Sequence, residues 1–242
     1  MDTHPDIFGL AFNDYLKGNS NGIITVEIEI SEPEELPVAY FFRDFQQMPE
    51  WEQKALETCS GRILDVGAGA GSHSLYLQGK GMDVTAIDLS PGAVACMIER
   101  GVKQVSAANF FQFEEGRFDT ILFLMNGAGM AEKMDKLPEL LKKAGSMLTP
   151  RGSIFIESTD LLYMFEEEDG SVMIDLAGAY YGEITYQLSY EKVKGIPFPW
   201  LFVDYENLAD AASDVGLSCE LFYRGDNDNY IACLRKNTNG AS

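Results

Sequence analysis

The segment Ile63-Leu64-Asp65-Val66-Gly67-Ala68-Gly69-Ala70-Gly71-Ser72 restricts the fold more than any other stretch of the chain. An apolar strand running into three glycines at alternate positions permits a sharp turn, leaves no Cβ between the backbone and a ligand, and opens a helix at Ser72. Something flat or anionic is expected on that turn. Asp88 lies 21 residues beyond Gly67, at the end of the second strand, Asp83 to Asp88. In a nucleotide-binding strand–helix–strand unit an acid at this tip accepts hydrogen bonds from ribose hydroxyls, and its charge strengthens them. The two features together predict an adenosine ligand.

The pattern around this turn is that of an α/β chain. From about residue 62 to 158 short apolar strands alternate with helical segments, as in a parallel sheet covered by helices on both faces. Strand one is Arg62 to Val66, and its helix runs through Leu77. Ser90 caps a helix that starts with Pro91 and stops at Gly101. Phe118 to Met125 reads as strand four. Leu137, Leu140, Leu141, Ala144, Met147 and Leu148 then mark one helical face. That helix is expected to stop at Thr149-Pro150-Arg151-Gly152, and Ser153 to Glu157 reads as strand five. Glu206 to Val215 reads as a helix, and Leu217 to Tyr223 and Tyr230 to Leu234 as an antiparallel hairpin. Outside this core, Ile24 to Ile30 and Ile184 to Tyr190 alternate apolar and polar residues, predicting a small antiparallel layer over the carboxyl edge of the sheet. Residues 1–60 read as an N-terminal cap segment and residues 61–242 as one domain with an insertion at about 160–203.

Charge narrows the partners. Eighteen Lys and Arg against 38 Asp and Glu give a net charge of −20, which repels nucleic-acid backbones and anionic lipid headgroups. Cys59, Cys96, Cys219 and Cys233 show no paired short spacing, so no metal site is expected and the thiols read as reduced. The start Met1-Asp2-Thr3-His4-Pro5-Asp6 has no basic stretch leading into an apolar one, and the longest dense apolar run, Ile121 to Met125, is too short to span a membrane. A cytoplasmic protein is expected, acting on a small molecule rather than on nucleic acid or membrane; the oligomeric state is not readable.

The dinucleotide fingerprint needs a glycine three positions after Gly69, where this chain has Ser72, so the spacing is GxGxG. At this point the sequence resembles the class I S-adenosylmethionine-dependent methyltransferases, whose first motif is an apolar pair, an acid, an apolar residue and GxGxG. Supporting matches are Asp88, the Phe118-Asp119 pair and the Leu148-Thr149-Pro150-Arg151-Gly152 turn. The resemblance implies a doubly wound, mostly parallel seven-stranded sheet with the last strand inserted antiparallel, and S-adenosyl-L-methionine as cofactor. It places Gly67, Ala68, Gly69 and Gly71 along the methionine part, Asp65 near the amino group, Asp88 on the ribose and Leu89 under the adenine. Asn109 and Phe110 stand where many members carry an acid facing the adenine amino group, and Asn126 with Gly127 would sit beside the methyl group.

Single residues carry further expectations. Arg43 suits the cofactor carboxylate because a guanidinium matches a carboxylate as a fork, while a structural ion pair with an acid such as Asp44 or Glu50 competes for it. His73, in the first turn of the cofactor helix, is a candidate general base whose pKa the helix terminus would lower, and a buried polar contact explains it as well. Asn126 is the other catalytic candidate. Glu166 to Asp169 reads as a solvated acidic loop. The aromatic insertion, with Tyr163, Tyr186, Tyr190 and Trp200, is the candidate acceptor site. Two other functions fit parts of the pattern: a nicotinamide-dependent oxidoreductase, and a non-catalytic protein that binds S-adenosylmethionine or S-adenosylhomocysteine.

Overall fold

The computed structural model describes residues 4–167, 169, 171–174 and 178–237; Glu168 of the acidic run lies outside them. In order the elements are α1 (Ile7–Leu16), β1 (Ile23–Ile28), β2 (Glu34–Pro37), α2 (Glu50–Thr58), β3 (Arg62–Val66), α3 (Ser72–Gly79), β4 (Asp83–Asp88), α4 (Pro91–Arg100), β5 (Val105–Ala107), β6 (Phe118–Phe123), α5 (Leu137–Met147), β7 (Leu148–Thr159), β8 (Glu183–Tyr190), β9 (Val193–Lys194), β10 (Phe198–Leu201), α6 (Tyr205–Asp214), β11 (Leu217–Arg224) and β12 (Asn229–Lys236). Seven strands form a sheet ordered β11-β12-β7-β6-β3-β4-β5, and a smaller sheet runs β10-β8-β1-β2 with β9 beside β8. The chain divides into two units, Met1–Glu115 with Thr185–Phe198, and Gly116–Ile184 with Pro199–Ser242.

In the first unit β3 pairs in parallel with β4, and β4 with β5, so Val66 lies opposite Ile87 just before both chains leave the sheet. Ser90 accepts from Ala93 N to cap α4, Pro91 opens that helix, and Gly101 closes it at φ 93°. These are the expected punctuation residues in their expected roles. Beside them β1 pairs antiparallel with β2 and with β8, placing Ile24 opposite Tyr190 and Val26 opposite Leu188. Ile24, Leu188 and Tyr190 share one apolar cluster with Ile7, Ala11 and Phe12 of α1 and with Ala93 and Cys96 of α4. Such a cluster anchors the N-terminal helix by buried area, at about 25 cal/mol per Å² of apolar surface.

In the second unit β6 and β7 are parallel, and β12 runs antiparallel to both β7 and β11. It is the inserted antiparallel last strand that the resemblance implies. The inward face of α5 is Leu137, Leu140, Leu141, Ala144 and Met147, all buried. Two local expectations differ from the structure. The helix ends at Met147, before Thr149 to Gly152 as expected, but the strand does not wait for Ser153: β7 begins at Leu148, and the surplus residues form an irregularity, with Phe118 opposite Leu148 but Thr120 already opposite Ser153. A bulge accommodates the Pro and Gly that would otherwise end a strand. Strand β6 in turn stops at Phe123, because Met125 and Asn126 adopt left-handed φ values of 56° and 55°. Among the described residues no helix is long and apolar enough to cross a membrane.

Candidate active site

The glycine turn has the geometry its spacing predicts. Gly67, Gly69 and Gly71 sit at φ 68°, 56° and 84°, a conformation that costs a residue bearing a Cβ about 1–2 kcal/mol. Gly67 N and Ala68 N donate to Ile87 O at 2.9 and 3.1 Å, which binds the turn to the end of β4. Gly69 N donates to Asp88 Oδ2 at 2.9 Å and Ser90 N to Asp88 Oδ1 at 2.8 Å. Burial pushes the Asp88 pKa up, against the lowering effect of those two bonds. The next residue, Leu89, is 70% exposed, so its apolar side chain is available as a platform for a flat ring. Gly71 forms the N-cap of α3 and offers no side chain to its first amides, which keep the helix's partial positive charge facing the turn.

Behind the turn, Asp65 is buried and accepts from Ser74 Oγ at 2.6 Å. Burial raises its pKa, with His73 and Ser74 opposing. Arg100 braces the same segment through Ala70 O, at 2.6 Å. Arg43 meets an acid, as the ion-pair reading expects, and that acid is Glu52: Nη2 lies 3.1 Å from Oε1. Asp44 instead caps the following 3-10 turn, and Glu50 pairs with Lys54. His73 Nε2 lies 2.9 Å from Glu52 Oε2. Burial alone would lower the His73 pKa, but the hydrogen bond and charge of Glu52, with Asp65 nearby, raise it. The lowering expected from the helix terminus is therefore reversed by an acid the sequence does not place beside it. With Nε2 engaged by Glu52 and the ring buried, that nitrogen is not open to take a proton from an acceptor. Asn109 Oδ1 accepts from Phe111 N at 2.9 Å, and Phe110 is buried.

Two residues of this unit escape the sequence reading. Phe12 is buried, and its ring would lie 3.9 Å from a Cβ placed on Gly69, so it covers the middle of the turn. Asp6 caps α1 by accepting from Gly9 N at 2.9 Å and also accepts from Gly92 N at 2.9 Å and Ser90 Oγ at 2.7 Å in α4. One carboxylate therefore caps two helices. Gly9 and Gly92 let those helices touch: a Cβ on Gly92 would stand 2.2 Å from Gly9 Cα. Of the acceptor candidates in this unit, Tyr186 packs edge-on to Phe198 at 5.9 Å, and Tyr190 is buried with its hydroxyl 3.2 Å from Asn19 Nδ2.

In the second unit Asn126 Oδ1 accepts from Thr159 Oγ1 at 2.9 Å, and Met125 N donates to the buried carboxylate of Glu157 at 2.6 Å. The left-handed pair Met125-Asn126 is thus held from β7 on both sides. Trp200 lies against the next turn, since a Cβ on Gly129 would come within 2.0 Å of the indole nitrogen. Tyr163 is 53% exposed. Tyr181 donates to Asp160 Oδ1 at 2.7 Å and Tyr180 to Asp204 Oδ2 at 2.6 Å; burial first, then Asp204 for Tyr180 and Tyr180 followed by Asp160 for Tyr181, hold both phenols well above their ordinary pKa. Sequence spacing gives no sign of these pairs.

A family model described as a methyltransferase domain matches residues 40–219. The chain belongs to that family. An S-adenosylmethionine-dependent methyltransferase from Bacteroides fragilis, solved in complex with S-adenosyl-L-homocysteine, is 39% identical, with a TM-score of 0.88 over 96% of this chain and 94% of that one. An uncharacterised methyltransferase from Staphylococcus carnosus is 30% identical over 184 residues, covering 74% of this chain and 82% of its own. A ubiquinone biosynthesis O-methyltransferase from Xanthomonas euvesicatoria is 30% identical over 120 residues, 45% of this chain and 47% of that protein. The protein is thus a class I methyltransferase dependent on S-adenosylmethionine. Its own residues fit that cofactor: three left-handed glycines clear the backbone, an acid stands at the tip of β4, and an exposed leucine follows it.

Proposed function

We propose that this methyltransferase transfers the methyl group to a small-molecule acceptor, and that the glycine turn and Asp88 hold the cofactor. The observation carrying the cofactor assignment is the Gly69–Asp88 hydrogen bond, which fixes the acid at the rim of the turn. Asp88 binds the ribose hydroxyls with its remaining lone pairs. Gly67, Ala68, Gly69 and Gly71 lie along the methionine part, and Asp65 acts near the amino group through the helix end it braces. Leu89 carries the adenine on one side, with Asn109 and Phe110 at its edge. Arg43 engages the carboxylate. S-adenosylmethionine supplies a methyl group on a sulfonium, which an acceptor takes by in-line displacement. For such a step alignment supplies much of the catalysis, and a base is needed only when the acceptor must lose a proton early. That requirement fits a site whose histidine is already committed to Glu52.

Two observations favour a small acceptor. The net charge of −20 repels polyanions. Related proteins are named for ubiquinone biosynthesis and for tocopherol O-methylation. Tyr163 is the aromatic residue we assign to acceptor contact, and Asn126, held by Thr159 of the same unit, is the polar one. Tyr190 and Trp200 are assigned to packing, because one is buried and the other lies on Gly129. Incubating the protein with methyl-labelled S-adenosylmethionine and a fractionated pool of small metabolites, beside protein and RNA fractions, tests the reading. Label is expected in a small organic fraction; label only in protein or RNA overturns it.

A further inference from the structure

Helix α2 presents two acids in its first turn with different fates: Glu50 pairs with Lys54 at the surface, whereas the Glu52 side chain is 1% exposed. An acid is buried at such a cost only when paired and hydrogen-bonded. Glu52 has two partners, a guanidinium and an imidazole. Arg43 Nη2 lies 3.1 and 3.2 Å from its two oxygens, and His73 Nε2 lies 2.9 Å from Oε2. Tyr40 covers the guanidinium, its ring centroid 3.5 Å from Arg43 Cζ, so a ring and a carboxylate together fix the guanidinium plane. His73 stands two residues after Gly71, on the helix that begins at the glycine turn.

We propose that Glu52 is a positioning residue for the methionine carboxylate of the cofactor: it fixes the Arg43 guanidinium while sharing its own charge with His73. The inference rests on the reading that Arg43 engages that carboxylate. With the carboxylate holding Arg43 Nη2 and the Tyr40 ring covering the guanidinium face, Arg43 meets a second carboxylate already oriented, and without Glu52 that orientation is lost. The groups facing His73 are Glu52, Asp65 and Arg43, and the acids among them keep its pKa raised against burial. Loss of the imidazole proton removes one positive charge from the group that holds Arg43, so the carboxylate contribution to binding declines as pH rises above the ordinary histidine range.

Titration calorimetry with S-adenosylhomocysteine and with 5′-methylthioadenosine, the same nucleoside lacking the amino-acid part, tests this. Glu52→Gln is expected to weaken S-adenosylhomocysteine about fivefold or more and 5′-methylthioadenosine less than about twofold, the size of one weakened charge-assisted contact. The advantage of S-adenosylhomocysteine over 5′-methylthioadenosine should also fall as pH rises above the ordinary histidine value of 6.5 in the unmodified protein, more than in Glu52→Gln, because the His73 pKa is raised. Equal weakening of both ligands, or of neither, overturns the proposal. If Glu52→Gln does not fold, His73→Gln reads the same ratio, and an unchanged ratio there overturns it. Arg43→Gln separates the two levels: no effect on S-adenosylhomocysteine removes the Arg43 reading itself, whereas an effect there without one at Glu52 removes only the positioning role.

Discussion

Gly69 N donates to Asp88 Oδ2 at 2.9 Å, joining the two parts of the nucleotide signal through one hydrogen bond. The acid we assign to the ribose is bonded to the turn we assign to the methionine part, so a change at either residue should disturb both. The neighbouring glycines then differ in what they forbid.

Gly71→Ala and Gly69→Ala are expected to fail differently. A Cβ at Gly71 would lie 2.8 Å from Met97 Cγ and 3.0 Å from Val102 Cγ2, at φ 84°. Overpacking and left-handed strain together should lower stability by about 2–4 kcal/mol. A Cβ at Gly69 has ordinary contacts, the nearest at 3.9 Å, so its stability loss should stay near the 1–2 kcal/mol of strain while cofactor binding falls further. Denaturant melts and S-adenosylhomocysteine titrations of both variants check the contrast. Equal stability losses would contradict it.

Asp6→Ala removes the caps of α1 and α4 at once. Each cap is worth roughly 1 kcal/mol, so about 2 kcal/mol should be lost, and Tm should fall by about 4–8 °C. Ser90→Ala keeps the Asp6 bonds to both backbone amides and should cost less. A Tm change under one degree for Asp6→Ala would show that the double cap does not hold α1.

Asn126→Gly relieves the left-handed strain at φ 55° but loses the Thr159 bond, effects of about 1 kcal/mol each and opposite sign. Stability should change little while the rate of methyl transfer drops. A variant as active as the parent would remove Asn126 from the acceptor site.

The Glu52–His73 pair predicts two arms in the pH–stability profile. Burial disfavours the charged form of each, but their mutual hydrogen bond and charge win, raising His73 and, with Arg43, lowering Glu52. A raised His73 stabilises fully below the unfolded value of 6.5 and loses that contribution as pH rises through its folded value. A lowered Glu52 stabilises above 4.5 and loses its contribution as pH falls through its folded value. Chemical denaturation across pH should show the alkaline arm, and His73→Gln should flatten it. An alkaline arm unchanged in that variant would contradict the pairing.

What was legible in the sequence was what local chemistry decides. Strands at Arg62–Val66 and Asp83–Asp88, the Ser90 cap and the Gly101 stop follow from alternation, capping and glycine freedom within a few residues. Glu52 and Asp6 were not legible, because their meaning lies in partners 21 and 84 residues away: an acid in a first helical turn looks the same whether it faces water or His73. The left-handed Met125-Asn126 pair was hidden for a related reason. No glycine marks it, and the Glu157 and Thr159 groups that hold it come from another strand.

The central claim is that Asp88 binds the ribose of the cofactor, and calorimetric titration of Asp88→Ala with S-adenosylhomocysteine tests it most directly. Loss of one or two charge-assisted bonds of about 1.5–3 kcal/mol each predicts affinity at least about tenfold weaker, with the melting transition of the free protein still cooperative. Affinity equal to that of the parent protein would contradict the account.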